Sequence, residues 1–270
     1  MEDRVKVMMS EGVADVRLVR ADKMNALDAA MFDALVATCD RLSREKGLRA
    51  VVLSGEGRAF CAGLDMDRFA AMKANGGNGV AGGESRDLTA RTHGLANFPQ
   101  QAVWGWRQLP VPVIAAIQGV AFGGGFQLTL GADMRFLTPD ARMSIMEIKW
   151  GLIPDMAGTP ILARMVRDDI LRDLTYTGRI FSAQEALSYG LATRICDDPR
   201  AVALEVAREI AGKSPDAIRA AKRMLNNLSV DPGPALLAES VEQQKLIGAP
   251  NQTEAVRANL EKRAPRFADV

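Results

Sequence analysis

The chain has 270 residues, enough to bury a sizeable core, and its 34 Lys plus Arg against 33 Asp plus Glu leave a net charge of +1. Such a balance provides no general field for nucleic acid or an anionic membrane, so an anionic ligand must be held by local groups. Three widely spaced cysteines, Cys39, Cys61 and Cys196, argue against a disulfide framework or a thiolate metal site, and a single His93 leaves His-rich metal sites and Ser-His-Asp schemes little to build on. The segment Met1-Glu2-Asp3-Arg4-Val5-Lys6 has no apolar signal core, and no apolar run reaches spanning length. The expectation is a cytoplasmic protein in a reducing compartment, with no metal and neither nucleic acid nor membrane as a partner.

In chain order, Val5 to Met8 and Ala14 to Leu18 read as strands around the turn signal Glu11-Gly12, a hairpin. Asn25-Ala26-Leu27-Asp28 leads into a helix over 29–42, where Met31, Leu35, Val36, Cys39 and Leu42 recur at helical spacing. Arg49 to Leu53 is a strand buried on both faces. The Gly- and Asn-bearing stretch between Met66 and Arg91 reads as a mobile loop. A helical segment through Trp104 and Trp106 precedes the apolar strand Val113 to Ile117, the glycine cluster Gly119 to Gly125 and a helical run over 127–132. Strand, glycine turn, helix occurs twice, which points to an α/β fold of right-handed units. Beyond about Ser182 helices dominate, at 183–189, 199–212, 214–227 and 234–247. His93, in a polar stretch, reads as a surface residue.

Neither glycine turn is a nucleotide loop. Gly55-Glu56-Gly57 continues into Phe60 where the third glycine of a dinucleotide fingerprint belongs, and Gly119 to Gly125 lacks both that spacing and a Gly-Lys-Ser/Thr ending. Gly123-Gly124-Gly125 instead sits where a buried strand hands over to a helix, so amides without helical acceptors can face an anion. The segment Ala59-Phe60-Cys61-Ala62-Gly63-Leu64-Asp65 offers a matching half, in which Gly63 could bring the Leu64 N–H towards the second turn. Two amide donors aimed at one thioester oxygen would stabilise the charge formed when an α-proton leaves.

At this point the chain resembles the crotonases, the enoyl-CoA hydratase/isomerase family. The blocks that carry the resemblance are Lys23-Met24-Asn25-Ala26-Leu27, Arg58 to Asp65, Pro112 to Gly119, Gly123-Gly124-Gly125, Asp133, and Gly151-Leu152-Ile153-Pro154-Asp155. It continues through Thr177-Gly178-Arg179, Ser182 to Ala186 and Lys262 to Phe267, so nearly the whole chain is covered. One departure is Ala21, where many relatives carry proline. The resemblance implies a crotonase-type spiral of ββα units over 1–195 and a helical carboxyl-terminal region over 196–270 that assembles homotrimers or hexamers. It implies an oxyanion hole at Leu64 and Gly124, coenzyme A near Lys23, Met24 and Ala62, and a phosphate contact at Lys262. No cofactor is implied beyond the coenzyme A moiety of the acyl-CoA substrate.

The acidic residues choose the reaction. Hydratases of this family use two glutamates, one four residues before a glycine and one two residues after the triple glycine. Glu147 stands at the first position, but Gln127 occupies the second, and an amide cannot exchange a proton near neutral pH. Asp155, eight residues beyond Glu147, matches the spacing of the family's dienoyl-CoA isomerases, which carry a third acidic residue where Gln127 stands. The catalytic set Glu147, Asp155 and Gln127 therefore favours shifting a double bond over adding water. Burial among Ile145, Met146, Trp150 and Ile153 is expected to keep a carboxyl protonated. Asp133 reads as structural. Hydration of a 2-enoyl thioester is the alternative. RNA binding, known for one branch of the family, is the remote one, because Asp33, Asp40, Arg41, Arg44, Glu45 and Lys46 make a mixed set rather than a basic face.

Overall fold

The computed structural model describes residues 4–65, 88–228 and 232–270. Most of the glycine-rich stretch expected to form a mobile loop lies outside the described residues. Strands β1 (Val5–Ser10) and β2 (Val13–Leu18) form the expected hairpin, turning at Glu11 and Gly12, both at positive φ. Helix α1 (Ala29–Ser43) starts where the Asp28 side chain accepts from the Met31 amide, a cap that satisfies one of the orphan donors of the first turn. Its apolar face, including Met31, Phe32, Leu35, Cys39 and Leu42, is buried. β3 (Ala50–Gly55) follows, and α2 (Phe98–Gln108) opens with a reciprocal capping box between Asn97 and Gln100.

The glycine cluster is not a single turn. Between β4 (Val113–Ile117) and α3 (Gly124–Leu130) the chain forms a further strand, β5 (Val120–Phe122). The periodicity hides it because three residues between glycines are too short a window for a strand pattern. β6 (Met134–Leu137) and β7 (Arg142–Ser144) repeat the move, and β8 (Phe181–Ser182) and β9 (Arg194–Ile195) complete two sheets. One sheet has the order β1-β2-β3-β4-β6-β9 and the other β5-β7-β8. All neighbours are parallel except β1 with β2 and β7 with β8. From β4 to β7 successive strands alternate between the two sheets, and the spiral of ββα units follows from that alternation.

The larger sheet buries both faces, as near-continuous apolar strands require. Val51, Leu53, Val113, Ala115 and Ile117 join the main core, while Ala50, Val52, Ile114 and Ala116 face the other way. The second face is covered by α7 (Pro199–Ala211), through Ala203 and Ala207, after the intervening helices α4 (Gly158–Leu162), α5 (Asp168–Thr177) and α6 (Ala183–Ser188). α7 lies beyond residue 195, the expected boundary, and forms a layer of the core, because a sheet apolar on both faces needs a helix on each. Helices α8 (Pro215–Asn226), α9 (Pro232–Leu246) and α10 (Pro250–Leu260) follow, and α8 packs against both α9 and α10.

Asp133 is structural, as expected. Its Oδ2 accepts from the Val113 amide at 2.7 Å and from Lys222 Nζ at 2.8 Å, and the same ammonium donates to the Val111 carbonyl at 2.8 Å. This anchors α8 to the end of β4. Burial lowers the Lys222 pKa, with Asp133 opposing that shift. Lys222→Met leaves Asp133 without its cation, and the expected loss is about 3 kcal/mol in urea unfolding.

Candidate active site

The two glycine-bearing segments run side by side: in a parallel bridge between Cys61 and Ala121 the Cys61 amide donates to Val120 O and the Phe122 amide to Cys61 O, each at 3.1 Å. In the parallel bridge between Leu27 and Leu64, the Leu27 amide donates to Gly63 O at 2.7 Å and the Asp65 amide to Leu27 O at 3.1 Å. That pairing turns the Leu64 N–H to the opposite side, away from Leu27. The first residue of α3, Gly124, has no preceding helical carbonyl for its own N–H. Among the described residues neither the Leu64 nor the Gly124 amide donates a hydrogen bond.

Glycine is needed for the approach. Gly63 has φ 91°, and a Cβ there would lie 2.5 Å from Phe122 O and 3.8 Å from the Gly124 nitrogen. The three glycines face four different residues. A Cβ on Gly123 would meet Glu147 Oε1 at 3.5 Å, one on Gly124 would meet Leu27 Cδ1 and Met156 Sδ at 2.9 Å, and one on Gly125 would meet Cys61 O at 2.3 Å. The carboxylate, the two amides and an apolar wall are thereby gathered into a few ångströms of backbone.

Leu64, Gly124, Gln127, Glu147 and Asp155 all line one cavity of about 800 Å³, and Lys23, Met24 and Ala62 line it as well. Gln127, almost completely buried, is fixed at both ends of its amide. Its Oε1 accepts from the Met156 amide at 2.9 Å and the Gly158 amide at 3.1 Å, so its Nε2 is turned towards Glu147 Oε1, to which it donates at 2.6 Å. Glu147 Oε2 is buried and has no hydrogen-bond partner among the described residues. Burial pushes the Glu147 carboxyl above its ordinary range, the Asp155 charge pushes the same way, and the Gln127 hydrogen bond partly opposes them. Burial likewise raises Asp155.

The apolar shroud differs from expectation. Ile145 is buried, but Trp150 and Ile153 are 40% and 73% exposed and stand at the cavity rim. The 3-10 turn Glu147–Trp150 ends at Gly151 in the left-handed region, so Trp150 and Ile153 do not continue along one helical face over the carboxylate. Glu147 is enclosed instead by the triple-glycine turn and Gln127. Lys262 is exposed at φ 52° beyond α10 and does not line the cavity. His93 also lies outside it, its ring 5.9 Å from that of Phe98. No group of three or more metal-ligating side chains occurs among the described residues.

The sequence reading missed Met156 and Gly158, because they act through amides that carry no side-chain signature. It also missed Phe32, whose helical spacing marks only a buried face and not the cavity it lines.

The sequence matches the family Enoyl-CoA hydratase/isomerase over residues 8–270. The chain belongs to this family. Carnitinyl-CoA dehydratase of Proteus mirabilis is 33% identical, with 91% of each chain covered. The mitochondrial methylglutaconyl-CoA hydratase of Mus musculus is 30% identical over 98% of this chain and 84% of that relative. The crystal structure of enoyl-CoA hydratase from Bacillus anthracis matches with a TM-score of 0.85 at 30% identity, covering 98% of each chain. As a crotonase, the protein is an enzyme of acyl-coenzyme A thioesters with the fold its sequence implied.

Proposed function

We propose that this crotonase shifts a double bond in an enoyl- or 3,5-dienoyl-coenzyme A, using Glu147 as the base and the Leu64 and Gly124 amides as donors to the enolate oxygen. The observation that carries the reading is the clamped amide of Gln127. With Oε1 held by two backbone donors, this side chain presents only N–H to Glu147 and cannot act as a second proton acceptor. Glu147 takes the proton from C2, and the electron pair moves into the thioester carbonyl. Returning that proton to C4 converts a 3-enoyl into a 2-enoyl thioester. For a 3,5-dienoyl substrate, Asp155 delivers a proton at C6 and the product is the 2,4-diene. Both carboxyls have raised pKa values, which suits groups that must hold a proton for part of the cycle.

Hydration is the second reading. It is supported by the hydratase and dehydratase relatives, and by Asp155 as another carboxyl facing the cavity. A panel of 2-enoyl, 3-enoyl and 3,5-dienoyl thioesters followed by ultraviolet absorbance separates the two. Isomerisation at least about tenfold faster than hydration is expected, and the reverse order would overturn the proposal. Gln127→Glu should raise hydration of the 2-enoyl thioester by about tenfold or more if a missing carboxylate limits it. The exposed apolar residues Leu236, Leu237 and Leu260 support assembly into a trimer or hexamer, and the free cysteines support a cytoplasmic setting.

A further inference from the structure

The segment 20–28 borders the cavity on one side and the backbone of residues 59–65 on the other. Asp22, Lys23 and Met24 line the cavity. Met24 O accepts from the Ala62 amide at 2.9 Å, and Leu27 holds Gly63 and Asp65, so Leu64 is fixed by bonds on both sides. Met24 and Asn25 are consecutive non-glycine residues in the left-handed region, at φ 49° and 55°. Such backbone costs about 1 kcal/mol or more per residue and persists only when its surroundings impose it.

The imposing groups are polar and buried. Asn25, fully buried, accepts at Oδ1 from the Arg20 amide at 2.9 Å and donates from Nδ2 to Glu56 O at 3.0 Å and Ala59 O at 2.9 Å. Arg20 Nη1 donates to Ala26 O at 3.0 Å and to the Asp65 carboxylate, and the Arg20 and Asp65 side chains are only 14% and 5% exposed. A displacement of Lys23–Met24 therefore cannot occur without moving the strand that carries the Leu64 amide.

We infer that Arg20, Asn25 and Asp65 are positioning residues that couple occupation of the Lys23–Met24 end of the cavity to alignment of the Leu64 amide. Binding energy from the non-reacting part of the substrate is thereby expressed in turnover rather than only in affinity. The inference rests on the reading of Leu64 and Gly124 as donors to the thioester oxygen and on coenzyme A lying near Lys23 and Met24, as the resemblance implies.

The test compares one acyl group carried on full coenzyme A and on pantetheine alone, using whichever double-bond reaction the enzyme catalyses. In the wild type, kcat with the full thioester is expected to exceed that with the truncated one by about 10- to 100-fold, beyond any difference in KM. Asp65→Asn and Arg20→Lys should lower kcat for the full thioester towards the truncated value and leave the truncated one within about twofold. Equal wild-type kcat values overturn the inference, as do variants that slow both thioesters by one factor. If both variants fail to fold, equal wild-type kcat values still overturn the inference. An enzyme that hydrates instead of isomerising defeats the proposed function but not this comparison, because both reactions place charge on the same oxygen.

Discussion

Glu147→Gln is expected to reduce kcat by about 10²- to 10⁴-fold on any enoyl thioester the enzyme turns over, with KM little changed. The side chain keeps its volume, and a glutamine carbonyl can still accept from Gln127 Nε2, so the loss isolates the proton transfer. Exchange of the C2 proton with deuterium from solvent should disappear together with turnover. Exchange within tenfold of wild type would remove Glu147 from its role.

The pH behaviour follows from the raised Glu147 pKa. A base must be ionised, so the acidic limb of kcat/KM should lie above the ordinary glutamate value of 4.5. Stability moves in the opposite sense. A carboxyl whose folded pKa lies above its unfolded one contributes stability that is fully present below the unfolded pKa and is lost as pH rises through the folded pKa. Glu147→Gln should accordingly raise Tm relative to wild type at neutral pH and give no gain below about pH 4.5. A destabilised Glu147→Gln protein at neutral pH would mean that the carboxylate is held by partners strong enough to offset its burial.

The second large effect is expected where the two glycine-bearing segments lie side by side. Gly63→Ala requires a side chain at φ 91° with Cβ 2.5 Å from Phe122 O, a backbone atom that cannot rotate away. The Leu64 amide must shift, and losing one such donor costs about 10²- to 10³-fold in kcat. Gly248→Ala supplies the comparison, since Gly248 has φ 77° but nothing within 4 Å. That variant should lose about 1 kcal/mol of stability from backbone strain and keep its turnover. Equal activity losses in the two variants would show that strain, not the displaced amide, is responsible.

Much of the fold was legible because it is written in local patterns. The helical spacing of Met31, Leu35, Val36, Cys39 and Leu42 placed α1 within a residue, and the unbroken apolar run Val113 to Ile117 placed β4 with the same bounds. β5 escaped, because its three residues are defined by pairing with β7 rather than by their own pattern. The expected cover of Trp150 and Ile153 over Glu147 failed for a related reason. Apolar neighbours in sequence mark a buried environment only when the backbone keeps them on one side, and the left-handed Gly151 does not.

The sequence by itself determined the chemical inventory: two glycine-bearing segments able to present free amides, a glutamate at 147, an aspartate at 155 and an amide at 127. Its ordered motifs also determined the family. Only the tertiary structure decided that Gln127 is clamped as a donor, because the atoms that clamp it are the amides of Met156 and Gly158, 29 and 31 residues away. Only it decided how closely Gly63 approaches Gly124, a distance set by parallel pairing between strands remote in the chain. Residue identities fix which protons and charges are available, whereas their pKa values and directions depend on burial and on hydrogen bonds that exist only after the chain has folded.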